Sequence, residues 1–342
     1  MARVIRAKAP LRVSFAGGGT DVPPFCEQEG GLVLNATISR YAYGTLRPRD
    51  DGQISVRSVD LDVTHTYGPE DPLIFDGKLD LVKAAVRKLA SRDTGGFNLF
   101  LQTGAPPGSG LGSSSTLLVA LIGLLKESEG LPLSQYEIAE LAYTLERHDL
   151  GIRGGSQDQY AATFGGFNFI ELEGRRVVVN PLRISADVVN ELEHNMLLCF
   201  TGTTRQSDRI IEDQVARFEG QDERALAGLR RQKELAVAMK NALLEHRTDE
   251  FGDLLAEAWE AKKQMSPRIS NDAIDEVYSE ARAHGALGGK ITGAGGGGHM
   301  LLYCEAEQKH RVAEALGKMD VEVAEFSFEF EGLRTWRVNG RR

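Results

Sequence analysis

The chain has 342 residues, of which 42% are hydrophobic and 26% charged, with a formal net charge of −9. That length is enough for two domains sharing an interface, and the composition is that of an ordinary soluble globular protein. The acidic balance argues against nucleic acid as the main partner, and no run approaches 18 uninterrupted apolar residues, which argues against a membrane span.

In chain order, residues 3–8 and 11–16 read as strands broken by Pro10. Leu32 to Leu46 has strand character, and Asp51-Gly52 before Ile54 to Val56 suggests a hairpin turn. Asp80 to Ala90 reads as a helix, and Phe97 to Gln102 as a strand leading into a glycine loop. A helix starts at Ser134, with Glu137 three residues on in a capping box and an apolar stripe of Ile138, Leu141, Ala142 and Leu145. Phe167 to Leu172 and Arg176 to Val179 look like paired strands around Glu173-Gly174. Beyond about residue 182 the texture changes. Asp208 to Phe218, Asp222 to His246, Asp249 to Gln264 and Asn271 to His284 read as helices. A second glycine loop follows, then a strand over 299–304, a helix from Ala306 to Leu316 stopped by Gly317, and an alternating strand with Phe326, Phe328 and Phe330. The expected fold class is α+β, divided into residues 1–185 and 186–342.

The most informative stretch is Pro106 to Ser115, PPGSGLGSSS, followed at once by the apolar run Thr116 to Leu125. A flexible linker does not run straight into ten mostly apolar residues. A glycine loop that opens a helix leaves backbone N–H groups aimed at one spot, where the helix dipole adds positive potential suited to phosphate. Pro107, Gly108, Ser109, Gly110, Leu111 and Gly112 are therefore candidates to hold nucleotide phosphates. The hydroxyls of Ser113, Ser114 and Ser115 could cap the helix, bind phosphate oxygen or ligate a metal. Two common nucleotide motifs fail. Residues 108–115 lack the lysine of a P-loop, and 284–291 begin with His284 and place Ile291 after the lysine. Gly293, Gly295 and Gly298 match G-x-G-x-x-G, but His299 to Tyr303 looks like a strand where that motif requires a helix.

Cys26, Cys199 and Cys304 are far apart with no C-x-x-C, which suits reduced thiols in a cytoplasm and offers no zinc site. The opening MARVIRAKAP has no apolar core for a secretion signal. The seven histidines show no metal-binding spacing.

Three segments, APLRVSFAGGGTDVP at 9–23, PPGSGLGSSS and KITGAGGGG at 290–298, occur in this order. Together they resemble the three motifs of the GHMP kinase superfamily. The resemblance spans roughly residues 3–305. It implies an N-terminal domain like ribosomal protein S5 domain 2 and a ferredoxin-like C-terminal domain. It also implies ATP as co-substrate, Mg2+ as cofactor and a sugar or sugar phosphate as acceptor, and leaves a homodimer open. Gly17-Gly18-Gly19-Thr20-Asp21-Val22 stands where galactokinases carry G-E-H-T-D-Y. The form F-A-G-G-G-T-D-V is similar to the heptose 7-phosphate kinase branch, and less closely to the fucokinase-like branch. The first implies phosphorylation of an anomeric hydroxyl, feeding nucleotide-heptose and surface polysaccharide synthesis. A fucose- or galactose-type sugar kinase and a catalytically silent ATP- and sugar-binding relative are the alternatives.

The resemblance also assigns roles. It points to Ser114 and Glu146 for Mg2+. Its catalytic aspartate lies in a G-x-x-[SQ]-x-D-Q segment, which residues 153–159, RGGSQDQ, resemble with Arg153 in place of the first glycine, and this makes Asp158 the base candidate. A cap at Ser156 would put Asp158 in a first helical turn, where the dipole favours negative charge. Arg12 occupies the family's Lys or Arg position, where a fixed cation stabilises negative charge beside it. Asp21, on the loop with Gly18, Gly19 and Thr20, would reach acceptor hydroxyls. Gly295 and Gly296 belong to the third loop, which in the family packs against the phosphate loop and substrate. Arg205, among hydroxyl residues, and Arg153 are candidates to anchor a distal phosphate.

Overall fold

The computed structural model describes residues 3–91, 95–174, 176–202 and 208–339. Its first sheet has eight strands. β1 (Arg3–Ala16) and β2 (Gly31–Arg49) form a long antiparallel pair. β3 (Ile54–Ser58), β4 (Val63–Tyr67), β5 (Gly96–Thr103), β6 (Phe167–Glu173) and β7 (Arg176–Pro181) follow in the chain. The free edge of β2 is shared, with β6 along Gly31 to Ala36 and β5 along Ala42 to Arg49.

Two local expectations are corrected here. Pro10 does not end a strand: β1 runs through it, with a register shift between Pro10 and Arg12. A bulge accommodates the residue that cannot donate to the ladder. It also frees the Arg12 N–H, which bonds to Leu111 O at 3.2 Å. Asp51-Gly52 does not turn a hairpin, because β5 lies between β2 and β3 and pairs with β3 in parallel.

Helices α1 (Phe25–Gln28), α2 (Asp80–Leu89), α3 (Ser113–Glu129), α4 (Gln135–Tyr143) and α5 (Gln157–Phe164) belong to the same half. α3 is apolar on nearly every side because it is covered on every side. β1 and β2 pack on one face, and α2, α4 and α5 on the others. The capping box at Ser134 forms as expected.

The second sheet contains β8 (Met196–Phe200), β9 (Ala286–Ile291), β10 (His299–Cys304) and β11 (Glu322–Ala324), in the order β11-β8-β10-β9, all antiparallel. α6 (Ala186–Asn195) leads into it. α7 (Asp208–Glu219), α8 (Glu223–Leu244), α9 (Phe251–Met265) and α10 (Asp272–Ala283) connect β8 to β9, and α11 (Lys309–Gly317) connects β10 to β11. Helical crossovers at these two places and this strand order give the ferredoxin-like β-α-β-β-α-β arrangement.

The segment with Phe326, Phe328 and Phe330 is not a regular strand. It makes a single bridge from Phe328 to Ile38, and its aromatic rings pack on Phe15 and Phe167. β12 (Arg334–Asn339) then returns to the first sheet and pairs with β1. Thus β1 to β7 and β12 make one sheet and β8 to β11 the other. A buried cluster joins them, with Phe15 set edge-to-face on Phe251 at 5.3 Å between centroids. Among the described residues no helix is long and apolar enough to cross a membrane.

Candidate active site

A cleft opens where the two halves meet. Its floor is the loop from Pro106 to Gly112. Gly112 is the N-cap of α3, in the left-handed region at φ 76°, with no side-chain cap on the helix. The first α-type bond of that helix is from Thr116 N to Gly112 O, so the preceding N–H groups have no intrahelical acceptor. Gly108, Gly110 and Gly112 line the cleft together with Ser113, Ser114 and Ser115. Pro107, Ser109 and Leu111 stand outside its wall. Ser109 is buried, and its carbonyl accepts from the His299 N–H and from His299 Nδ1 at 2.8 and 2.9 Å.

The second glycine loop packs on the first. Gly293 lies so close that a Cβ there would stand 2.7 Å from the Cα of Gly110. Gly110 O accepts from the Arg12 guanidinium at 2.7 Å and from Thr292 Oγ1 at 2.8 Å. Gly295 lines the cleft; Gly296 does not, and its N–H bonds to Ile269 O at 2.7 Å.

Asp158 sits in the first turn of α5, as expected, although Ser156 makes no side-chain cap. Arg12 approaches it from β1 with Nε at 2.7 Å and a terminal nitrogen at 2.6 Å, both on Oδ1. Oδ2 has no hydrogen-bond partner among the described residues. The arginine is nearly buried and held at its far end by Gly110 O, so its orientation is fixed by the first glycine loop. The result is a carboxylate with one oxygen neutralised and the other free at the cleft.

Glu146 is fully buried, on a π-helical turn over Thr144–Asp149 that continues α4. Its Oε1 accepts from Ser114 Oγ at 2.8 Å, and Oε2 accepts from Ser115 Oγ at 2.6 Å and Gln159 Nε2 at 2.7 Å. The wider turn re-aims the side chain from the margin of the apolar stripe towards the start of α3. The pair Ser114 and Glu146 is a hard-oxygen donor set with the serine exposed at the cleft.

Asp21 is buried beside the cleft, accepting from the N–H groups of Gly19 at 3.0 Å and Gln157 at 3.1 Å. Burial pushes its carboxyl above the usual carboxylate range, against those two bonds, which pull it down. Gly155 is required at this contact, since a Cβ there would lie 1.9 Å from Asp21 Oδ2. Gly18 and Gly19 line the cleft. Thr20 is turned away: its hydroxyl donates to Gly17 O at 2.8 Å and accepts from Leu32 N at 3.1 Å, fixing the turn. Arg153 is half exposed at the rim and paired with Glu212 at 3.2 Å. Arg205 lies outside the described residues.

Three cleft residues have no signal in the sequence motifs. Arg147 holds the rim by donating to Gly155 O at 3.2 Å. Gln214 donates to Gly19 O at 2.9 Å, tying α7 to the glycine turn. Lys262, on α9, is 4% exposed and lines the cleft. Desolvation, with a further push from Arg12, lowers its ammonium to about 8, and the attraction of Asp21 only partly offsets this. Lys290 is a second buried lysine nearby, and desolvation, with repulsion from Lys262 and Arg12, pushes its ammonium well below the usual lysine range. The unfolded chain holds the Lys262 proton to about 10.5, the folded chain only to about 8. Between those values the unfolded state binds more protons, so this group's contribution to stability rises with pH. Below pH 8 both states are charged and the cost of burying the ammonium is constant. Lys262→Met should therefore unfold at a higher temperature than wild type below pH 8. The gap should close as pH approaches 10.5, and a gap independent of pH in thermal melts contradicts the reading.

Comparison with known proteins agrees with this geometry. Residues 80–166 match the family model "GHMP kinases N terminal domain", and residues 239–321 match "GHMP kinases C terminal". The D-glycero-alpha-D-manno-heptose 7-phosphate kinase of Campylobacter jejuni is 42% identical over 340 residues, covering 98% of this chain and 100% of the relative. A galactokinase of Thermococcus kodakarensis is 26% identical, covering 94% and 93%. A crystal structure titled as a D-glycero-D-manno-heptose 1-phosphate kinase from Bacteroides thetaiotaomicron superposes with a TM-score of 0.83 at 37% identity, covering 98% and 100%. With both family models matched in order, a relative similar along its full length, and the glycine loops packed around one cleft, the chain belongs to the GHMP kinase family.

Proposed function

We propose that the chain is an ATP-dependent sugar kinase acting on the anomeric hydroxyl of D-glycero-D-manno-heptose 7-phosphate, giving the 1,7-bisphosphate. The observation that carries the phosphotransfer is the free Oδ2 of Asp158 beside the start of α3. The acceptor hydroxyl gives its proton to Oδ2 as its oxygen bonds to the terminal phosphorus of ATP, and the bond from that phosphorus to the bridging oxygen breaks. Arg12 stabilises the charge on Asp158. The backbone N–H groups of residues 113–115 stabilise charge on the phosphates. Ser114 and Glu146 fit Mg2+, which would neutralise phosphate charge when bound. Among the described residues there is no cluster of three or more His, Cys, Asp and Glu, and Mg2+ at a nucleotide needs none, since phosphate and water complete its shell. The proposed division at 185/186 puts the Gly18-Gly19 turn and the first glycine loop in one half and the 293–298 loop in the other, with β12 crossing back to the first sheet. A cytoplasmic setting suits the three buried free cysteines.

The heptose reading rests on the Campylobacter relative and on the F-A-G-G-G-T-D-V loop. The two named heptose relatives agree on the sugar and differ in the phosphate position their names carry. A panel of free sugars and sugar phosphates with ATP and Mg2+, read by ADP release, tests the proposal. The expected result is a kcat/KM for the 7-phosphorylated heptose about tenfold to a hundredfold above that for the free heptose, the worth of a charge-assisted phosphate contact. Arg205 is the proposed anchor, with Arg153 the second choice. Equal values for the two acceptors remove the phosphate anchor. Higher values for galactose or fucose move the protein to the other sugar branches.

A further inference from the structure

The acceptor side of the cleft holds polar atoms that the folded chain leaves without partners. Lys262 Nζ has no hydrogen-bond or ion-pair partner among the described residues, although the residue is 4% exposed. The side-chain atoms Ser14 Oγ and Gln157 Oε1 are buried and also lack partners. All three residues converge on one backbone position. A Cβ placed on Gly18 would lie 3.2 Å from Ser14 Oγ, 3.4 Å from Gln157 Nε2 and 3.8 Å from Lys262 Nζ. Buried polar groups are ordinarily satisfied, so unpartnered ones ask for a ligand or water. Two such atoms, Ser14 Oγ and Gln157 Oε1, lie beside the unpartnered Lys262 Nζ where β1, α5 and α9 come together, and Gln157 and Lys262 line the cleft.

The mixture of atoms specifies the ligand. Lys262 offers only donors, Gln157 Oε1 accepts, Ser14 Oγ does both, and the Asp21 carboxylate beside them accepts. A phosphate would satisfy the lysine but would face the oxygens of Asp21 and Gln157. A sugar hydroxyl accepts with its oxygen and donates with its hydrogen, so adjacent ring hydroxyls satisfy all of these groups.

We infer that Lys262 is a specificity-determining residue of the acceptor pocket, donating from Nζ to a ring hydroxyl oxygen of the sugar beside Asp21, with Gln157 taking the neighbouring hydroxyl. This rests on the kinase reading above and deepens it. It assigns the ring to Lys262 and leaves any distal phosphate to the arginine anchor proposed above. A residue of the second half of the chain thereby reads the substrate that Asp158, in the first half, activates.

The test uses the full-length enzyme with ATP-Mg2+ and the best acceptor of the sugar panel. Lys262→Met and, as an independent replacement, Lys262→Gln are compared with wild type, with folding checked by circular dichroism. The expected result is a rise in acceptor KM of about tenfold to a hundredfold, the worth of a hydrogen bond from a charged donor, with ATP KM unchanged. A set of acceptors each lacking one ring hydroxyl sharpens it. The penalty of the variants should vanish on one of these and persist on the others. Wild-type acceptor KM in a folded variant overturns the assignment alone. So does an equal loss for ATP and acceptor, or a penalty the same for every deoxy acceptor. Failure of wild type to phosphorylate any sugar overturns the kinase reading and this inference with it.

Discussion

Replacing Asp158 by Asn or Ala should lower kcat by about 10²-fold or more, the scale of a lost general base. The side chain offers one oxygen to Arg12 and leaves the other free, and an amide in its place cannot take a proton there. Asn keeps an oxygen that can accept from the guanidinium but no negative charge, whereas Ala leaves the Arg12 side chain with Gly110 O as its acceptor. The cost is expected on turnover, because the proposed nucleotide-binding elements, the loop and the start of α3, are untouched. Isothermal titration with a non-hydrolysable ATP analogue should give a Kd near the wild-type value. A folded Asp158→Ala protein with near wild-type kcat removes this residue from the mechanism.

The second large effect is expected at Glu146 and Ser114. Glu146→Gln puts an NH2 group against the donors Ser114, Ser115 and Gln159, which now converge on a carboxylate. The NH2 cannot accept, so a serine hydroxyl must reverse to accept from it or Gln159 must lose its acceptor, and the hydrogen bonding that fixes Ser114 against residue 146 is rearranged. The Mg2+ concentration for half-maximal rate should rise by about tenfold to a hundredfold, as when groups that orient a metal ligand are changed, with a lower kcat at saturation. Ser114→Ala should move the metal requirement in the same direction, while sugar KM changes less in both. Mg2+ titrations of both variants that overlay the wild-type curve reject the metal assignment.

What the sequence made legible was the set of local signals. The glycine loop before an apolar helix, the capping box at Ser134 and the register of Asp158 in a first turn depend on neighbours in sequence, and each stands in the structure. What it hid depends on partners far away. Pro10 looked like a break because a lone strand loses a ladder donor there, whereas a bulge between two neighbours absorbs the loss. The phenylalanines at 326, 328 and 330 alternate like a strand, but they serve an aromatic cluster and make only one bridge. Glu146 was found by likeness; the π-turn that aims it leaves no compositional trace. Lys262 was invisible because a lysine in a helix rich in Ala, Glu and Lys reads as solvated surface, and only the packing of α9 against the first half buries it.

The pairing of β12 with β1 has a consequence for synthesis. Arg3 lies opposite Asn339, so an edge of the first sheet waits for a strand translated after every other described element. Until then the outer edge of β1, the strand that carries Arg12, presents unpaired N–H and C=O groups to any passing chain. The nascent first half can collapse but cannot close, and the contact that closes it has nearly the greatest sequence separation the chain allows. Such contacts form slowly. The stage most exposed to wrong pairing is therefore the interval before the last strand leaves the ribosome, when the phosphate loop and its helix have long been made.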